Sequence, residues 1–314
     1  MQELRYHVRS AGPLHGTAVI QGAKNAALPM IAAALLAPHG RTVLRNVPAI
    51  TDVQRAVELA RLVGAHVEYH PADRLLVIDA ADMSNPRLPA ELTQQFRGSV
   101  LFLAPVLHRC GEVIFEGAGG CALGTRGLDF HYRGLARLGA HIEERDTTIH
   151  IKGSHLRGAD LYLDTPSHTG TENLIMAAAL TPGRTVIENA ALEPEVLDVV
   201  ALLSAMGAKI HGAGTGRITI DGVDHLHATE YTIMPDRIDA GVFAMATAIT
   251  GGAVTLVAAP SSTTSASPPT SCTRWEPSWQ PPAPCSPSPD PDRCTPSTSS
   301  PTPTPASPPT CNHP

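Results

Sequence analysis

The sequence predicts an α/β fold assembled from one repeated supersecondary unit. Three observations predict it. The order helix, Gly-led apolar strand, turn, second helix, Gly-Ala and closing strand occurs three times between Lys24 and Ile210. A unit of this kind cannot bury its apolar face alone, so adjacent copies must share a core. A fourth copy begins at Asp236, and the composition changes near Pro260 before that copy is complete.

In the first unit, Lys24 to Leu36 reads as a helix, Gly40 to Asn46 as a strand and Thr51 to Val63 as the second helix. Val53, Ala56, Val57, Ala60 and Val63 give that second helix one apolar stripe, and Thr51 with Gln54 has the form of a capping box. Gly64-Ala-His-Val-Glu and Arg74 to Asp79 predict a closing hairpin. Pro29 inside the first apolar run predicts a helix that starts only shortly before it. The second unit reads as helix Gln95 to Leu107, strand Gly111 to Glu116, helix Leu128 to Leu138 and closing strand Gly139 to Glu143. The third reads as helix Thr171 to Leu180, strand Gly183 to Asn189, helix Pro194 to Met206 and closing strand Gly207 to Ile210. Pro194 suits a first turn, where no intrahelical N–H bond is lost. Each Gly-Ala falls where a left-handed C-cap residue is wanted. The fourth unit has a helix, Asp236 to Ile249, and a strand, Gly251 to Leu256.

Beyond Pro260 the chain is rich in Pro, Ser and Thr and holds both tryptophans and four of the six cysteines. It has almost no Leu, Ile or Val, so it is expected to be disordered. Because the change falls inside a repeat, a frameshift or truncation is the expected origin.

A net charge of −6 over 314 residues gives no reason to expect a nucleic-acid partner or a basic membrane-surface patch. The start, Met1-Gln-Glu-Leu-Arg-Tyr-His-Val, lacks the apolar core of a signal peptide. The apolar run Ala26 to Pro38 is too short to cross a bilayer. Only Cys110 and Cys121 precede residue 260, which fits a reducing cytoplasm rather than a disulfide framework.

The stretch Glu116 to His131 is rich in glycine and carries Cys121, Arg126, Asp129 and His131. So many glycines favour an exposed, bent loop. A thiol five residues from an arginine on such a loop has the setting of a reactive cysteine; a surface loop whose cysteine is only a small hydrophobe is the alternative.

These stretches, together with Gly22 to Pro29, Gln95 to Ser99, Pro166 to Asn173, Glu188 to Glu195 and Pro235 to Asp239, closely resemble the UDP-N-acetylglucosamine 1-carboxyvinyltransferase family. The resemblance runs over roughly residues 5 to 258. It implies an inside-out α/β barrel of the EPSP synthase-like kind, two such domains, and an active site in the cleft between them. On that reading residues 1–18 give a strand to the second domain, 19–230 form the complete three-unit domain, 231–259 begin the second domain, and 260–314 form the tail.

The reaction implied is transfer of the enolpyruvyl group of phosphoenolpyruvate to the 3-hydroxyl of UDP-N-acetylglucosamine with release of phosphate, the first committed step of peptidoglycan synthesis. The resemblance implies that Cys121 is the general acid and the target of fosfomycin. Lys24 would bind phosphoenolpyruvate at a helix start, where free N–H groups favour an anion. Asn25 would hydrogen-bond ligand, Arg97 would join the ligand site, and the planar fork of Arg126 would meet phosphate or carboxylate. Gly127, Leu128, Asp129 and Phe130 would line the uridine pocket, and Ser167 would meet the diphosphate. No cofactor or metal is implied, and a cytoplasmic monomer is expected.

Two departures from the family pattern stand out. Gly127 replaces a usual proline, and His168-Thr-Gly170 replaces a usual Val-Gly-Ala. The family's catalytic aspartate and a second phosphate-binding arginine have no match here, so little or no turnover is expected. The alternatives are a non-catalytic remnant that binds nucleotide-sugar and a 5-enolpyruvylshikimate-3-phosphate synthase-like transferase. Cys121 and the stretch Arg126 to His131 speak against the latter.

Overall fold

The computed structural model describes residues 7, 12–117 and 127–258, and the backbone of 272–275. Strand β1 (His15–Ile20) leads into the first unit, which holds α1 (Lys24–Ala34), β2 (Arg41–Arg45), α2 (Thr51–Leu62), β3 (His66–His70) and β4 (Leu75–Asp79). A short strand, β5 (Arg87–Leu88), and one helical turn, α3 (Ala90–Thr93), connect to the second unit. That unit holds α4 (Leu103–Cys110), β6 (Glu112–Phe115), α5 (Asp129–Arg137), β7 (His141–Arg145) and β8 (Thr148–Lys152). Strand β9 (Asp160–Tyr162) connects to the third, with α6 (His168–Ala179), β10 (Arg184–Glu188), α7 (Pro194–Ala205), β11 (Lys209–His211) and β12 (Arg217–Asp221). Then follow β13 (Glu230–Thr232), α8 (Arg237–Thr250), β14 (Ala253–Ala258) and β15 (Cys272–Trp275).

The strands form three four-stranded sheets of one design, ordered β5-β6-β8-β7, β9-β10-β12-β11 and β13-β2-β4-β3. In each, a connecting strand runs parallel to the leading strand, whose other edge takes the closing hairpin antiparallel. The connecting strand always belongs to the neighbouring unit. β13, which follows the third unit, lies beside β2 of the first with Glu230 opposite Val43, and this closes the three units into a ring.

The helices lie inside that ring and the sheets outside. α1 and α6 are buried nearly all round, which is why their apolar residues show no single stripe: Ala26, Ala27, Met30 and Ile31, like Leu174 through Ala179, have no exposed surface. α2, with one buried face (Val53, Ala56, Val57, Leu59, Ala60), keeps the amphipathic pattern.

The turn chemistry repeats with the fold. Gly64, Gly139 and Gly207 follow α2, α5 and α7 at φ of 105°, 101° and 106°, the left-handed caps that the three Gly-Ala pairs predict. Other local expectations are corrected. Thr51 and Gln54 form no capping box: Ile50 is the N-cap of α2 and makes no side-chain cap bond, because Thr51 is already inside the helix. The helix expected over Gln95 to Leu107 is a 3-10 segment, Arg97–Phe102, followed by α4. Pro105 accounts for the break, since its missing N–H is harmless only within the first turn of an α-helix. α6 begins at His168 rather than Thr171, with Ser167 Oγ accepting from Gly170 N–H at 3.2 Å.

The fourth unit shares part of this design in a sheet of three strands, ordered β1-β14-β15. β1 runs parallel to β14 with His15 opposite Ala253, and β15 lies antiparallel on the other edge of β14. The segment from residue 260, expected to be disordered, therefore contains one strand. Edge pairing uses backbone groups alone and does not need an apolar run. Outside 272–275 that segment lies beyond the described residues. α8 differs from its counterparts α1 and α6 in exposure, for Ile238, Val242, Met245 and Ile249 all face solvent.

Candidate active site

A cleft of about 600 Å³ opens at one end of the helical core. Its wall is made of helix beginnings: Lys24 and Asn25 of α1, Asp52 of α2, Arg97 of the 3-10 segment, Phe130 of α5, His168 of α6, Glu193 capping α7 and Arg237 of α8. Each of these ends presents N–H groups with no partner in their own helix, and their dipoles add positive potential at the same place. The side chains add Lys24, Arg97 and Arg237. Such an arrangement has the chemistry to accept an anion, beside the carboxyl groups of Asp52, Glu172 and Glu193 that also line it.

The first turns of α1 and α8 are locked together. Gly22 bridges Pro235 in antiparallel register, Ala23 N–H donates to Met234 O and Asp236 N–H donates to Gln21 O, each at 2.8 Å. Asp236 caps α8 by accepting from Ile238 and Asp239 N–H, while its Oδ2 accepts from Lys24 N–H at 3.1 Å. Gly22 is required at this crossing, because a Cβ there would lie 1.7 Å from Asn46 O. Asp198 braces the same region, accepting from Tyr231 OH at 2.7 Å and from Met234 N–H at 2.9 Å. Burial raises the Asp198 pKa, and these two hydrogen bonds oppose the rise.

Lys24 Nζ stands 2.5 Å from Asp52 Oδ2, so the ammonium is held at the cleft wall while half its side chain stays exposed. Arg237 forms a fork on the fully buried Glu195, with Nε to Oε1 at 2.9 Å and Nη2 to Oε2 at 3.1 Å. Arg97 Nη2 donates to Gly127 O at 3.4 Å, and Arg97 also flanks His131. Burial first and the Arg97 charge second push that imidazole down to about 3, so His131 is neutral at physiological pH.

On α5, Asp129 pairs with Arg133 at 3.2 Å, Arg133 reaches Asp164 at 2.6 Å, and the Arg133 guanidinium lies 5.3 Å from the Phe130 ring centroid. A Cβ on Gly127 would approach Asp129 Oδ1 to 2.4 Å, so this orientation of Asp129 depends on the glycine that departs from the family pattern.

Of the residues proposed from sequence, Lys24, Asn25, Arg97, Gly127, Phe130 and Ser167 line the cleft together. Leu128 and Asp129 adjoin it without lining it. Cys121 and Arg126 lie outside the described residues. Asp52, Glu172, Glu193 and Arg237 also line the cleft and were not singled out from sequence. The signal for Arg237 and Glu193 was present in Pro235 to Asp239 and Glu188 to Glu195. Glu172 has no exposed surface, and neither carboxyl oxygen makes a hydrogen bond among the described residues. Burial, reinforced by Glu195 and Glu193, raises its pKa well above the ordinary carboxylate range. Among the described residues, no cluster of three or more His, Cys, Asp or Glu is arranged to hold a metal ion, and no helix is long and apolar enough to cross a membrane.

The profile of the EPSP synthase (3-phosphoshikimate 1-carboxyvinyltransferase) family matches residues 8–267. The chain is 65% identical over 263 residues to a UDP-N-acetylglucosamine 1-carboxyvinyltransferase of Thermobifida fusca, a match covering 82% of this chain and 61% of that protein. It is 47% identical over 256 residues to UDP-N-acetylglucosamine 1-carboxyvinyltransferase 1 of Symbiobacterium thermophilum, covering 80% of this chain and 58% of the relative. The chain therefore spans about three fifths of the length of these relatives. Among solved structures, the enolpyruvyl transferase NikO from Streptomyces tendae superposes with a TM-score of 0.69 at 22% identity, over 78% of this chain and 58% of that one. An EPSP synthase from Acinetobacter baumannii gives a TM-score of 0.62 at 20% identity, over 79% of this chain and 56% of that one. At such identities these two structures speak to the fold, which is the same inside-out arrangement of repeated α/β units.

Proposed function

The chain belongs to the EPSP synthase family of enolpyruvyl transferases, and from that premise we propose that it serves transfer of the enolpyruvyl group of phosphoenolpyruvate to the 3-hydroxyl of UDP-N-acetylglucosamine. The name borne by the 65% identical relative supports this acceptor over shikimate 3-phosphate. The observation that carries the reading is the convergence of helix N-termini, with Lys24, Arg97 and Arg237, on one cleft. Both substrates are polyanions, and such a wall favours their phosphate and carboxylate groups over water.

In the reaction the sugar oxygen bonds to C2 of the enolpyruvyl group, the C2–phosphate oxygen bond breaks and inorganic phosphate leaves, the hydroxyl proton passing to a base and from it to phosphate or solvent. The methylene carbon gains a proton and later returns one. In this reading Lys24, held by Asp52, and Arg97 bind the anionic donor and Asn25 hydrogen-bonds it, which their shared lining of the cleft supports. Cys121 is proposed as the acid and Arg126 as a further cation, with Gly127, Leu128, Asp129, Phe130 and Ser167 for the nucleotide-sugar. The role in peptidoglycan synthesis, a cytoplasmic setting and a monomeric state belong to the same proposal.

The test is phosphate release by the purified chain with both substrates, alongside calorimetric titration with each alone. Release that needs both substrates supports the transferase reading. Binding of UDP-N-acetylglucosamine without release assigns the chain a binding role instead. Absence of both overturns the proposal.

A further inference from the structure

We propose that Glu172 fixes the tautomer of His168, making His168 Nδ1–H a hydrogen-bond donor into the cleft for a phosphoryl or carboxylate oxygen. The proposal deepens the anion-binding reading given above and rests on it. In this arrangement His168 is the binding residue and Glu172 a positioning residue.

His168 opens α6 and Glu172 follows one turn later, so the two side chains share one face of the helix. His168 Nε2 lies 3.5 Å from Glu172 Oε1. Nε2 and both carboxyl oxygens are inaccessible to solvent, and none makes a hydrogen bond among the described residues. Yet a fifth of the His168 side chain is exposed, and the residue lines the cleft. With Nε2 turned inward to Glu172, Nδ1 is the ring nitrogen left for the cleft.

The proton count then decides the chemistry. If the proton between the pair sits on Glu172, Nε2 accepts it as a hydrogen bond, and the neutral ring carries its own hydrogen on Nδ1. If that proton moves to His168, the imidazolium carries hydrogen on both nitrogens. Either way Nδ1–H points outward. The opposite tautomer needs either a protonated Glu172 whose carbonyl oxygen accepts from Nε2–H, which leaves its buried O–H with no acceptor among the described residues, or an ionised Glu172 accepting from Nε2–H. The ionised case would be a fully buried carboxylate near Glu193 and Glu195, with the nearby Arg237 already held by Glu195. Burial also disfavours a charged His168, against a smaller upward pull from Glu193 and Glu195. The neutral ring beside a protonated Glu172 is therefore the favoured state. A hydrogen bond that is long in the unliganded cleft is ordinary, and such contacts tighten when ligand binds.

The experiment uses the full chain with 15N-labelled histidine, its His168 resonances assigned by their loss in His168→Leu. At neutral pH the unliganded chain is expected to show protonated Nδ1 and unprotonated Nε2. Inorganic phosphate and uridine diphosphate then serve as separate probes. Affinity is expected to fall roughly 3- to 10-fold in His168→Leu and in Glu172→Leu, the worth of one neutral hydrogen bond. Glu172→Gln, whose amide N–H donates to Nε2, is expected to restore both the tautomer and the affinity. A Nε2–H tautomer in the wild type overturns the proposal, as does a Glu172→Leu variant with unchanged tautomer and affinity. If the wild type binds neither probe, the anion reading of the cleft fails. The tautomer, read without ligand in the wild type and in Glu172→Leu, still decides whether Glu172 positions His168.

Discussion

Lys24 and Asp236 are 212 positions apart, yet the backbone N–H of the first donates to the carboxylate of the second at 3.1 Å. The same carboxylate caps α8 through Ile238 and Asp239. One side chain thus aligns the starts of two helices on the cleft.

Asp236→Ala is expected to lose that alignment together with the cap, at about 2 kcal/mol, the upper part of the range for losing an N-cap. Asp236→Asn keeps the acceptor oxygen and is expected to lose less than half as much. Urea denaturation of the three proteins checks the order.

Arg237→Ala leaves Glu195 buried with no partner for its charge. Breaking such a pair from one side costs about 3 kcal/mol, and Arg237→Lys, which keeps the charge but loses the fork, falls between. The double variant Glu195→Gln, Arg237→Ala is expected to recover part of the loss. A single-variant Arg237→Ala with wild-type stability argues against the pair.

The three left-handed caps differ in what surrounds them. A Cβ at Gly64 or Gly139 would meet backbone oxygens of Asp82 or His155 at 2.7 and 2.6 Å, whereas at Gly207 its nearest neighbour is a ring carbon of His227 at 3.5 Å. Gly207→Ala therefore pays only the cost of left-handed backbone, about 1–2 kcal/mol. Gly64→Ala and Gly139→Ala are expected to cost more than that, measured as ΔΔG of unfolding.

Two buried groups set opposite pH limits. The folded pKa of Glu172 is raised by burial and by Glu195 and Glu193, so the folded chain binds more protons than the unfolded one above the ordinary value of 4.5. Stability from this group falls as pH rises from there through the folded pKa. The folded pKa of His131 is lowered from 6.5 to about 3 by burial and by Arg97, so the unfolded chain binds more protons between those values. Stability from His131 is complete above 6.5 and is lost as pH falls toward 3. Glu172→Gln is expected to flatten the alkaline limb and His131→Leu the acid limb of stability measured against pH.

Ile249 on α8 is 86% exposed beside Met245 and Val242. An apolar helical face of this kind favours self-association. Ile249→Glu is expected to leave the free energy of unfolding within about 0.5 kcal/mol of the wild type while reducing light scattering at high protein concentration.

The repeats were legible because each copy carries its own punctuation: Gly40, Gly111 and Gly183 before the leading strands, and Gly64, Gly139 and Gly207 after the second helices. The closure of β13 on β2 was not, since a strand of three residues is too short to establish a period. Lys24, Asn25, Arg97 and Ser167 reached the site through their motifs rather than through periodicity. Glu172 escaped notice because a glutamate in a helix normally signals a solvated face. Only the packing of α6 in the core, with Thr171 Oγ1 accepting from Ala191 N–H and Asn173 Oδ1 accepting from Ala104 N–H, shows that this stretch is buried polar.

The antiparallel crossing at Gly22 and Pro235 also bears on the order in which the chain assembles. Leu14 N–H finds Thr250 Oγ1 236 positions away, a pairing whose closure entropy on an open chain is large. Once the ring has closed and the crossing has formed, the segments on either side of it emerge side by side, and only a short connection remains to be closed. The three-unit ring is thus a guest whose completion brings the two flanking segments of its host together, and on closure entropy β1 and β14 are expected to pair after it.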